Sequence, residues 1–363
     1  MIRSITIKGY RGLEHLEMSN LGRINLLVGK NNSGKSSVLE ALYLLGSKCS
    51  PEALLDVLWP RGEFADQTTP SPGPTFDVRH LFYGHRLERE KAIFIAAKEY
   101  NDQKYEVNIN IEELDTGDKT GKLTPQNSLS AIFGKNADEK RQYALDFRGG
   151  IPVVIIQNAS IFGHMNSNRR NFTYLPLGSM TPQKLVSVWD GSVVLTSQEE
   201  NVMRALRHVD PRIQRIASIQ GNFSFRAGEP LHAGFAVRLE SSPEPVPIGS
   251  LGDGVWYMLA IATSLAVSQD GVLLIDEIDT GLHYSVMADL WRMIAKTAKE
   301  LNVQVFATTH SYDCITSLAR ICRDDPGNEN EVTIQRIEAG KTRSVAYDEG
   351  DIRVAAERHI EMR

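Results

Sequence analysis

The segment that decides the fold runs from Ile24 to Leu45 and reads Ile-Asn-Leu-Leu-Val-Gly-Lys-Asn-Asn-Ser-Gly-Lys-Ser-Ser-Val-Leu-Glu-Ala-Leu-Tyr-Leu-Leu. Its first part, Ile24–Val28, predicts a strand, and its last part, Ser36–Leu45, is apolar on nearly every face and predicts a helix buried against a sheet. Between them, Gly29–Ser36 fits the pattern G-x-x-x-x-G-K-[ST] in full. Because the motif requires a strand before it and a helix after it, this context favours a phosphate-binding loop over a chance glycine turn.

The residue types of this loop suit a nucleoside triphosphate with Mg²⁺. Gly29 and Gly34 allow the backbone to curl so that its N–H groups face the β-phosphate, at the positive end of the following helix. Lys35 would bridge the β- and γ-phosphates and act in catalysis, and the Ser36 hydroxyl would ligate Mg²⁺. The predicted nucleotide-binding residues of the loop are Gly29, Asn31, Asn32, Ser33, Gly34, Lys35, Ser36 and Ser37.

A second apolar strand supplies acidic residues. Val272–Ile275 leads into Asp276 and Glu277, so a strand buried on both faces would deliver two adjacent carboxylates to its carboxyl end. Asp276 would hold Mg²⁺ through its hydration shell, and Glu277 would orient and deprotonate the attacking water. The alternative is a solvated strand end, and the preceding phosphate-binding loop favours the catalytic interpretation.

Two further motifs occur in the same series of strands and helices. His310 follows the apolar strand Val303–Ala307, so it could point at the γ-phosphate from a neighbouring strand, although a lone histidine is usually structural. Ser250–Gly254 precedes the apolar helix Val255–Val267. This turn could contact nucleotide, or it could merely cap the helix.

The order of elements predicts the fold class. Strands that alternate with helices and end in polar residues predict an α/β fold, a P-loop NTPase with a mostly parallel core sheet. Ala92–Ala97 and Tyr105–Ile111 predict an antiparallel β-layer, and Pro182–Val188 and Gln198–Ile219 predict a helical lobe. Pro211 is expected to divide the second of these helices. The expected domains are a nucleotide-binding core at residues 1–50 and 225–345, an insertion lobe of antiparallel strands and helices at 51–224, and a C-terminal segment at 346–363.

The middle of the chain carries weaker patterns. Ser50–Pro74 is rich in Pro, Gly and Asp and predicts a loop, and Leu114–Asn136 predicts a surface loop. Val153–Ile156 predicts a short buried strand. One cluster could touch nucleic acid or a partner, although a partly buried strand end is favoured; it comprises His80, Phe82, His85 and Arg86. A solvated face is favoured for the arginines Arg169, Arg170, Arg204, Arg207 and Arg212.

Composition and charge exclude several classes of protein. A formal net charge of -5 gives no support for a basic surface along the whole chain. Three cysteines without Cys-x-x-Cys spacing argue against a disulfide framework and a zinc site and favour buried thiols. The first ten residues lack an apolar signal segment, and Val255–Val267 is too short to span a bilayer. We therefore expect a cytoplasmic protein without a membrane partner.

Together these motifs resemble an ABC-type ATPase head. The motifs that occur in the order of such a head are Gly29–Ser36, Ser250–Gly254, Asp276-Glu277, Asp279–His283 and Thr309-His310. Within that group the chain looks like the compact OLD-like (overcoming lysogenisation defect) AAA/ABC ATPases. Gly9–Leu13 and Glu277–His283 are the more specific cues. The resemblance is close over residues 1–45 and 245–345.

The resemblance implies a head-to-tail homodimer, or a higher homo-oligomer, with ATP at the interface. Ser250 and Gly252 of one copy would then cap the γ-phosphate bound by the other, and Asp279 would couple the two sites. Leu251 stands where the usual second glycine of that signature would be, which weakens the expected contact. Gln157 is a candidate for the glutamine that senses Mg²⁺ in such heads.

The function that the resemblance implies is hydrolysis of ATP to ADP and phosphate, coupled to a separate effector in defence against phage or mobile DNA. Larger OLD proteins carry a Toprim nuclease, whereas 53 residues follow His310 here and their acidic groups lack its size and strand context. We therefore expect any Toprim or HNH nuclease to be a separate polypeptide. The alternatives are a DNA-repair clamp resembling RecF, with nucleic acid as partner, and a regulatory scaffold that binds ATP with little turnover.

Overall fold

The computed structural model comprises two compact units. The first unit contains residues 1–21, 29–169 and 335–346, and the second contains residues 22–28, 170–334 and 347–363. The structure describes residues 1–65, 73–88, 90–113, 127–134, 139–146, 149–154, 156, 171–176, 178, 180–219, 234–240, 242, 244–324, 331–358, 360 and 362.

The part of the chain that the structure describes forms both strands and α-helices. The strands are β1 (Ile2–Tyr10), β2 (Leu13–Met18), β3 (Ile24–Val28), β4 (Thr75–Asp77), β5 (Ile93–Glu99), β6 (Lys104–Glu113), β7 (Asn127–Phe133), β8 (Glu139–Ala144), β9 (Gly150–Pro152), β10 (Phe172–Pro176), β11 (Ile213–Ser218), β12 (Phe235–Leu239), β13 (Val246–Pro247), β14 (Val272–Asp276), β15 (Gln304–Thr308), β16 (Val332–Arg336) and β17 (Val345–Tyr347). The α-helices are α1 (Lys35–Gly46), α2 (Pro51–Leu58), α3 (Pro182–Ser192), α4 (Ser197–Arg207), α5 (Asp253–Val267), α6 (Met287–Glu300), α7 (Tyr312–Asp324) and α8 (Glu349–Glu357). Among the described residues, short 3₁₀ helices span Val78–Leu81, Ile248–Leu251 and Tyr284–Val286.

The first unit is built on an antiparallel sheet. Its strands lie in the order β2-β1-β5-β6-β7-β8, and each neighbouring pair is antiparallel. Side chains of β6 alternate, with Val107, Ile109 and Ile111 buried and their neighbours partly exposed, which is the pattern of a sheet packed on one face. The predicted antiparallel β-layer is confirmed.

The second unit is built on a mostly parallel sheet with the order β10-β14-β15-β3-β16-β17. The pairs β10–β14, β14–β15 and β15–β3 are parallel. Every residue of β3 and of β15 is buried, as expected for strands covered on both faces. Strands β3, β14 and β15 therefore end at the same edge of the sheet, and the predicted mostly parallel α/β core is confirmed.

Asn25 fixes the position of β3 in this sheet. It is fully buried, and its side-chain amide donates to Gly22 O at 2.9 Å and to Val305 O at 3.1 Å. Its side-chain oxygen accepts from Gly22 N–H and from the hydroxyl of Thr333. Because a buried polar side chain must be paired, these bonds hold β3 in one register beside β15 and β16.

Two predictions of secondary structure are wrong. Pro51–Leu58 is a helix within the predicted loop Ser50–Pro74: the Ser50 side chain accepts from Ala53 N–H, and Pro51 takes the first turn. The predicted helix Gln198–Ile219 ends at Arg207. Residues after Pro211 form β11, whose pairing with β12 outweighs the helical spacing of its apolar residues.

Three further differences concern strands. Strand β2 lies beside β1 and was not predicted, and β7 falls inside the predicted loop Leu114–Asn136, of which residues 114–126 and 135–136 lie outside the described ranges. The predicted strand Val153–Ile156 is wrong, since β9 ends at Pro152 and Val153 and Val154 are helical. Strand β2 pairs with β1, and β7 pairs with β6 and β8, so backbone pairing decided these two strands where the local pattern did not reveal them.

The three cysteines, Cys49, Cys314 and Cys322, are buried and free, which confirms the predicted buried thiols. Burial raises the pKa of each thiol to about 12, so the unreactive protonated form dominates at neutral pH. Within the described ranges, no group of three or more His, Cys, Asp or Glu side chains could hold a metal ion. Among the helices that the structure describes, none combines the length and apolar character needed to cross a bilayer.

Candidate functional site

The loop Gly29–Ser36 requires glycine at both ends. Gly29 has φ 142°, and a Cβ there would lie 2.2 Å from the backbone oxygen of Ile337. Gly34 has φ 99° and precedes the first turn of α1, and a Cβ there would meet the side chain of Leu13 at 2.5 Å. Backbone that packs this closely at positive φ admits only glycine, so the two glycines allow the loop to curl as its sequence predicted.

Lys35 is held inside the loop that it follows. Its side chain is 4% exposed, and Nζ donates to Gly29 O at 2.8 Å and to Lys30 O at 2.9 Å. A buried ammonium needs such acceptors because burial disfavours an unpaired charge. The bonds tie the cationic head to the loop backbone, where an anion bound by the loop would meet it.

Other groups of the loop suit an anionic ligand. The hydroxyl of Ser33 is buried without a hydrogen-bond partner among the described residues, and α1 begins without a side-chain cap. The first N–H groups of a helix have no intrahelical acceptor, and the helix dipole makes this end positive. Ser36 and Ser37 lie in that first turn, whereas Asn31 and Asn32 are exposed. The predicted loop residues therefore lie together around one helix end.

Asp276 is oriented by the neighbouring strand. It is the last residue of β14, and the hydroxyl of Thr308, the last residue of β15, donates to its Oδ1 at 2.6 Å. The same hydroxyl accepts from Glu277 N–H at 2.8 Å. One buried hydroxyl thus holds both members of the predicted acidic pair at the carboxyl edge of the second unit's sheet.

Glu277 turns the chain away from the strand. Its φ is 55°, a left-handed conformation that non-glycine residues rarely adopt. Its carbonyl accepts from Thr280 N–H at 2.9 Å, and its Oε2 accepts from the Thr280 hydroxyl at 3.3 Å. The side chain is exposed, and its Oε2 lies 3.7 Å from the position that a Cβ would take on Gly178. The turn therefore presents the carboxylate to solvent at the sheet edge.

Asp279 lies shortly after the end of β14, and His310 lies shortly after the end of β15. The hydroxyl of Thr309 donates to Asp279 Oδ1 at 2.5 Å and accepts from Ser311 N–H at 2.9 Å. Thr309 is buried, whereas His310 beside it is exposed. Within the second unit the structure thus brings Asp276, Glu277 and Asp279 to one edge, with His310 at the end of the adjacent strand.

The segment Ser250–Gly254 lies at the start of α5. Ser250 is exposed, and Gly252 has φ 90° with no atom within 4 Å of the position of a Cβ. The loop after Asp279 packs onto the same helix: a Cβ on Gly281 would lie 2.1 Å from the ring of Tyr257. The Ser250 side chain is therefore exposed, and the described residues leave open space beside Gly252.

A buried ion network beside the loop was not predicted from sequence. Glu40 of α1 is 3% exposed and pairs with Arg11 at 2.6 Å and with Arg61 at 2.7 Å. Arg11 also pairs with Glu63 at 2.5 Å. Burial raises the pKa of the Tyr10 hydroxyl, which donates to Glu40. The network ties α1 to the turn between β1 and β2.

The hydrogen bonds of the Thr308 and Thr309 hydroxyls to acidic residues were also not predicted from sequence, although Thr309 belongs to the motif Thr309-His310. Each donates to an acidic residue 30 or 32 positions earlier, so local sequence carries no signal for the bond. Gln157, Arg169 and Arg170 lie outside the described residues. The predicted His80 cluster lies partly in the 3₁₀ turn Val78–Leu81, where His80 Nδ1 is 3.2 Å from His85 Nδ1.

Two parts of the chain match known protein families. Residues 1–148 match the family described as "AAA ATPase domain". Residues 193–313 match a family described as "AAA domain", with a suggested link to the AbiEii toxin of type IV toxin–antitoxin systems. The matched ranges include the loop Gly29–Ser36 and the residues from Ser250 to His310.

Individual proteins differ in how much of this chain they match and in their sequence identity to it. A Helicobacter pylori protein named "ATP/GTP phosphatase" is 26% identical over 357 residues, which cover 89% of each chain. The DNA replication and repair protein RecF of Geobacter sulfurreducens is 48% identical over 46 residues, 13% of each chain. The SMC head domain from Thermotoga maritima superposes with a TM-score of 0.46 at 10% identity, covering 96% of this chain and 98% of that one.

Proposed function

We propose that this chain, which matches AAA ATPase family models over residues 1–148 and 193–313, hydrolyses ATP to ADP and phosphate with Mg²⁺. The observation that carries the proposal is the braced acidic pair: Thr308 holds Asp276 and Glu277 at the end of β14. Strand β3, two strands away in the same sheet, leads directly into the phosphate-binding loop. Acidic residues at the carboxyl ends of such strands are where ligands of parallel α/β sheets bind.

The residues present fit Mg²⁺ and ATP. Mg²⁺ is usually held by one or two protein oxygens together with phosphate oxygens and water, which here would be Ser36 and Asp276. The buried Ser33 hydroxyl and the uncapped start of α1 offer donors to phosphate oxygens. When bound, Mg²⁺ would neutralise the charge that develops on the transferred phosphoryl group.

Each side chain has a distinct role in this proposal. Lys35 binds the β- and γ-phosphates through its ammonium group. Glu277 accepts the proton of the attacking water, and its exposed carboxylate is turned to that task by the left-handed backbone. His310 donates to the γ-phosphate from the adjacent strand. Oriented donors of this kind stabilise charge in the transition state without reorganisation.

The test is phosphate release by the purified protein. Glu277→Gln should bind ATP normally and lose hydrolysis by a factor of about 100 or more, since it removes the general base. Lys35→Ala should weaken ATP binding itself. Thr297→Val is the control, because that buried hydroxyl has no partner among the described residues. Equal turnover in wild type and Glu277→Gln would contradict the proposal.

We further propose that two copies associate head to tail, with Ser250 and Gly252 of one copy completing the site of the other. The exposure of Ser250 and the open space beside Gly252 support this. Asp279, held by Thr309, would couple the two sites. Turnover per molecule should then rise with protein concentration, whereas a monomeric enzyme would show constant turnover.

The cellular role that we propose is control of a separate effector, a Toprim or HNH nuclease, in OLD-like defence against phage or mobile DNA. The resemblance at Gly9–Leu13 and Glu277–His283 and the toxin link in the description of the matched family support it. The test is affinity purification of Glu277→Gln with ATP from the native host, followed by nuclease assay of what co-purifies. Recovery of the ATPase alone would count against effector control.

A RecF-like role on DNA is the second candidate. The 48% identity over 46 residues to a RecF protein favours it. An ATP-dependent mobility shift on gapped duplex DNA that weakens with salt would support this role, because phosphate contacts are salt-dependent. Absence of any shift at low salt would exclude it. The scaffold alternative requires ATP binding without turnover, and the phosphate-release assay distinguishes it.

A further inference from the structure

The end of β15 carries two adjacent threonines whose side chains are each 1% exposed. The first, Thr308, makes two hydrogen bonds through a single hydroxyl, at 2.6 Å to Asp276 Oδ1 and at 2.8 Å from Glu277 N–H. A hydroxyl has one proton to donate and two lone pairs that accept. Because the carboxylate can only accept and the amide can only donate, both roles of this hydroxyl are fixed by its partners.

The backbone at Glu277 needs this support. A non-glycine residue in the left-handed region is strained and persists only where neighbouring groups hold it. Here the Thr308 hydroxyl binds the N–H of Glu277, and the Thr308 carbonyl accepts from Ile278 N–H at 3.0 Å. Thr308 thus accepts hydrogen bonds from the N–H groups of two consecutive residues, Glu277 and Ile278.

The position of Thr308 is itself fixed. Strand β15 lies between β14 and β3, and Thr308 pairs with Leu27 in the parallel register. Thr309 N–H donates to Leu27 O at 3.3 Å. Thr308 is therefore fixed at the end of a central strand, where its hydroxyl can hold the acidic pair in one orientation.

We infer that Thr308 is a positioning residue for the ATPase reaction: its hydroxyl sets the orientation of the Asp276 carboxylate toward Mg²⁺ and the backbone turn that aims Glu277 at water. This inference rests on the proposed function. Thr308 acts through the two acidic residues that it binds. Hydrogen-bond partners of metal-binding side chains typically affect metal affinity or activity about 10- to 100-fold.

The experiment compares Thr308→Val, Thr308→Ala and Thr308→Ser with wild type and with Thr297→Val, which removes a buried hydroxyl that has no described partner. Valine keeps the shape and strand preference of threonine and removes only the hydroxyl, alanine avoids added bulk if valine perturbs folding, and serine keeps the hydroxyl. Thermal unfolding identifies the folded variants. Phosphate release gives kcat, the KM for ATP and the Mg²⁺ concentration that supports half-maximal turnover.

We expect kcat to fall about 10- to 100-fold in Thr308→Val and Thr308→Ala, with the half-maximal Mg²⁺ concentration raised severalfold and the KM for ATP changed less than about twofold. Thr308→Ser should recover most of the lost activity, and Thr297→Val should match wild type. Wild-type values in a folded Thr308→Val or Thr308→Ala protein would overturn the inference. A Thr308→Ser variant as slow as Thr308→Val would also overturn it, because the methyl group rather than the hydroxyl would then matter.

A second readout separates this inference from the proposed function. If wild type releases no phosphate, the proposed hydrolysis fails, and the inference is then judged by the Mg²⁺ dependence of ATP binding, measured with a fluorescent ATP analogue. Thr308→Val should still need severalfold more Mg²⁺ for half-maximal binding than wild type or Thr308→Ser. The same Mg²⁺ dependence in all three proteins would overturn the inference.

Discussion

Gly29 lies where the chain leaves β3 and enters the phosphate-binding loop, and its backbone passes against the carbonyl of Ile337. With φ 142° and 2.2 Å from a built Cβ to that oxygen, this position has room for hydrogen only. The consequence is a loop whose N–H groups are presented in one arrangement. Glu277 differs, because it has a side chain and still adopts a left-handed conformation, in which the Thr308 hydroxyl binds its N–H.

Gly29→Ala should destabilise the loop by about 1 to 3 kcal/mol, since the new methyl group collides with backbone and the φ is unfavourable. We expect weaker ATP binding, measured by equilibrium titration, and a lower midpoint of thermal unfolding. Gly191→Ala is the matched control, because nothing lies within 4 Å of a Cβ at that position and its φ is ordinary. Normal ATP affinity in Gly29→Ala would show that the loop tolerates the displacement.

Asp77 predicts a pH dependence of stability. Burial alone would raise the pKa of its carboxyl, but the Arg79 side chain and N–H bind the carboxylate and lower the pKa below its usual range. A depressed pKa means that the folded state binds this proton less tightly than the unfolded state. The stabilisation is therefore present above the ordinary pKa of the carboxyl and is lost as the pH falls through the folded-state value.

Asp77→Asn should remove this contribution. We expect the free energy of unfolding of wild type to fall more between about pH 6 and about pH 3 than that of the variant. Urea unfolding at the two pH values measures the difference. An equal loss in both proteins would mean that Asp77 makes no net contribution to acid sensitivity.

At the level of elements, α1 is anchored by charge as well as by apolar packing. Glu40 lies in the middle of the helix and binds both Arg11 and Arg61. Arg11 precedes β2, which begins at Leu13, and Leu13 contacts the position of a Cβ on Gly34. The helix that begins with Lys35 is thus fixed to the turn between β1 and β2, close to where the phosphate-binding loop ends.

Glu40→Gln should destabilise the protein by about 3 to 5 kcal/mol, because it removes one of the two carboxylates that pair with the buried Arg11 guanidinium and the carboxylate that pairs with Arg61. Urea unfolding gives the free energy. Glu17→Gln is the control: its pair with Arg343 is exposed, with side chains 42% and 79% accessible, and such pairs contribute about 0 to 1 kcal/mol. Similar small losses in both variants would contradict a structural role for the buried network.

The elements that sequence predicts well are those with strong local signals. The apolar runs of β3, β14 and β15 and the glycine pattern of the loop each give a correct element because local composition and final environment agree. The strand character of β11 and the hydroxyl bonds of Thr308 depend on residues well separated in the sequence. Strand β2 was missed although its partner β1 is joined to it by a short turn. Helix α2 was missed because the Pro- and Gly-rich residues after it obscured the Ser50 cap.

At the scale of the whole molecule, the central proposal is that two copies of the chain complete each other's active sites. The loop Gly29–Ser36 is part of the first unit, and Ser250, Asp276, Glu277 and His310 are part of the second. The exposed Ser250 and the open space at Gly252 have no assigned role within one chain. A site completed by a second copy assigns them one, which makes association of two copies the central claim about function.

Mixing two inactive variants tests this claim most directly. Lys35→Ala disables the phosphate-binding loop, and Ser250→Arg disables the segment proposed to act on the partner copy. In a head-to-tail mixed dimer both defects fall in one site and the other site is intact, so an equimolar mixture should recover about one quarter of the wild-type rate of phosphate release. A mixture that releases no more phosphate than the two variants alone would contradict the shared site, as would Ser250→Arg hydrolysing ATP at the wild-type rate by itself.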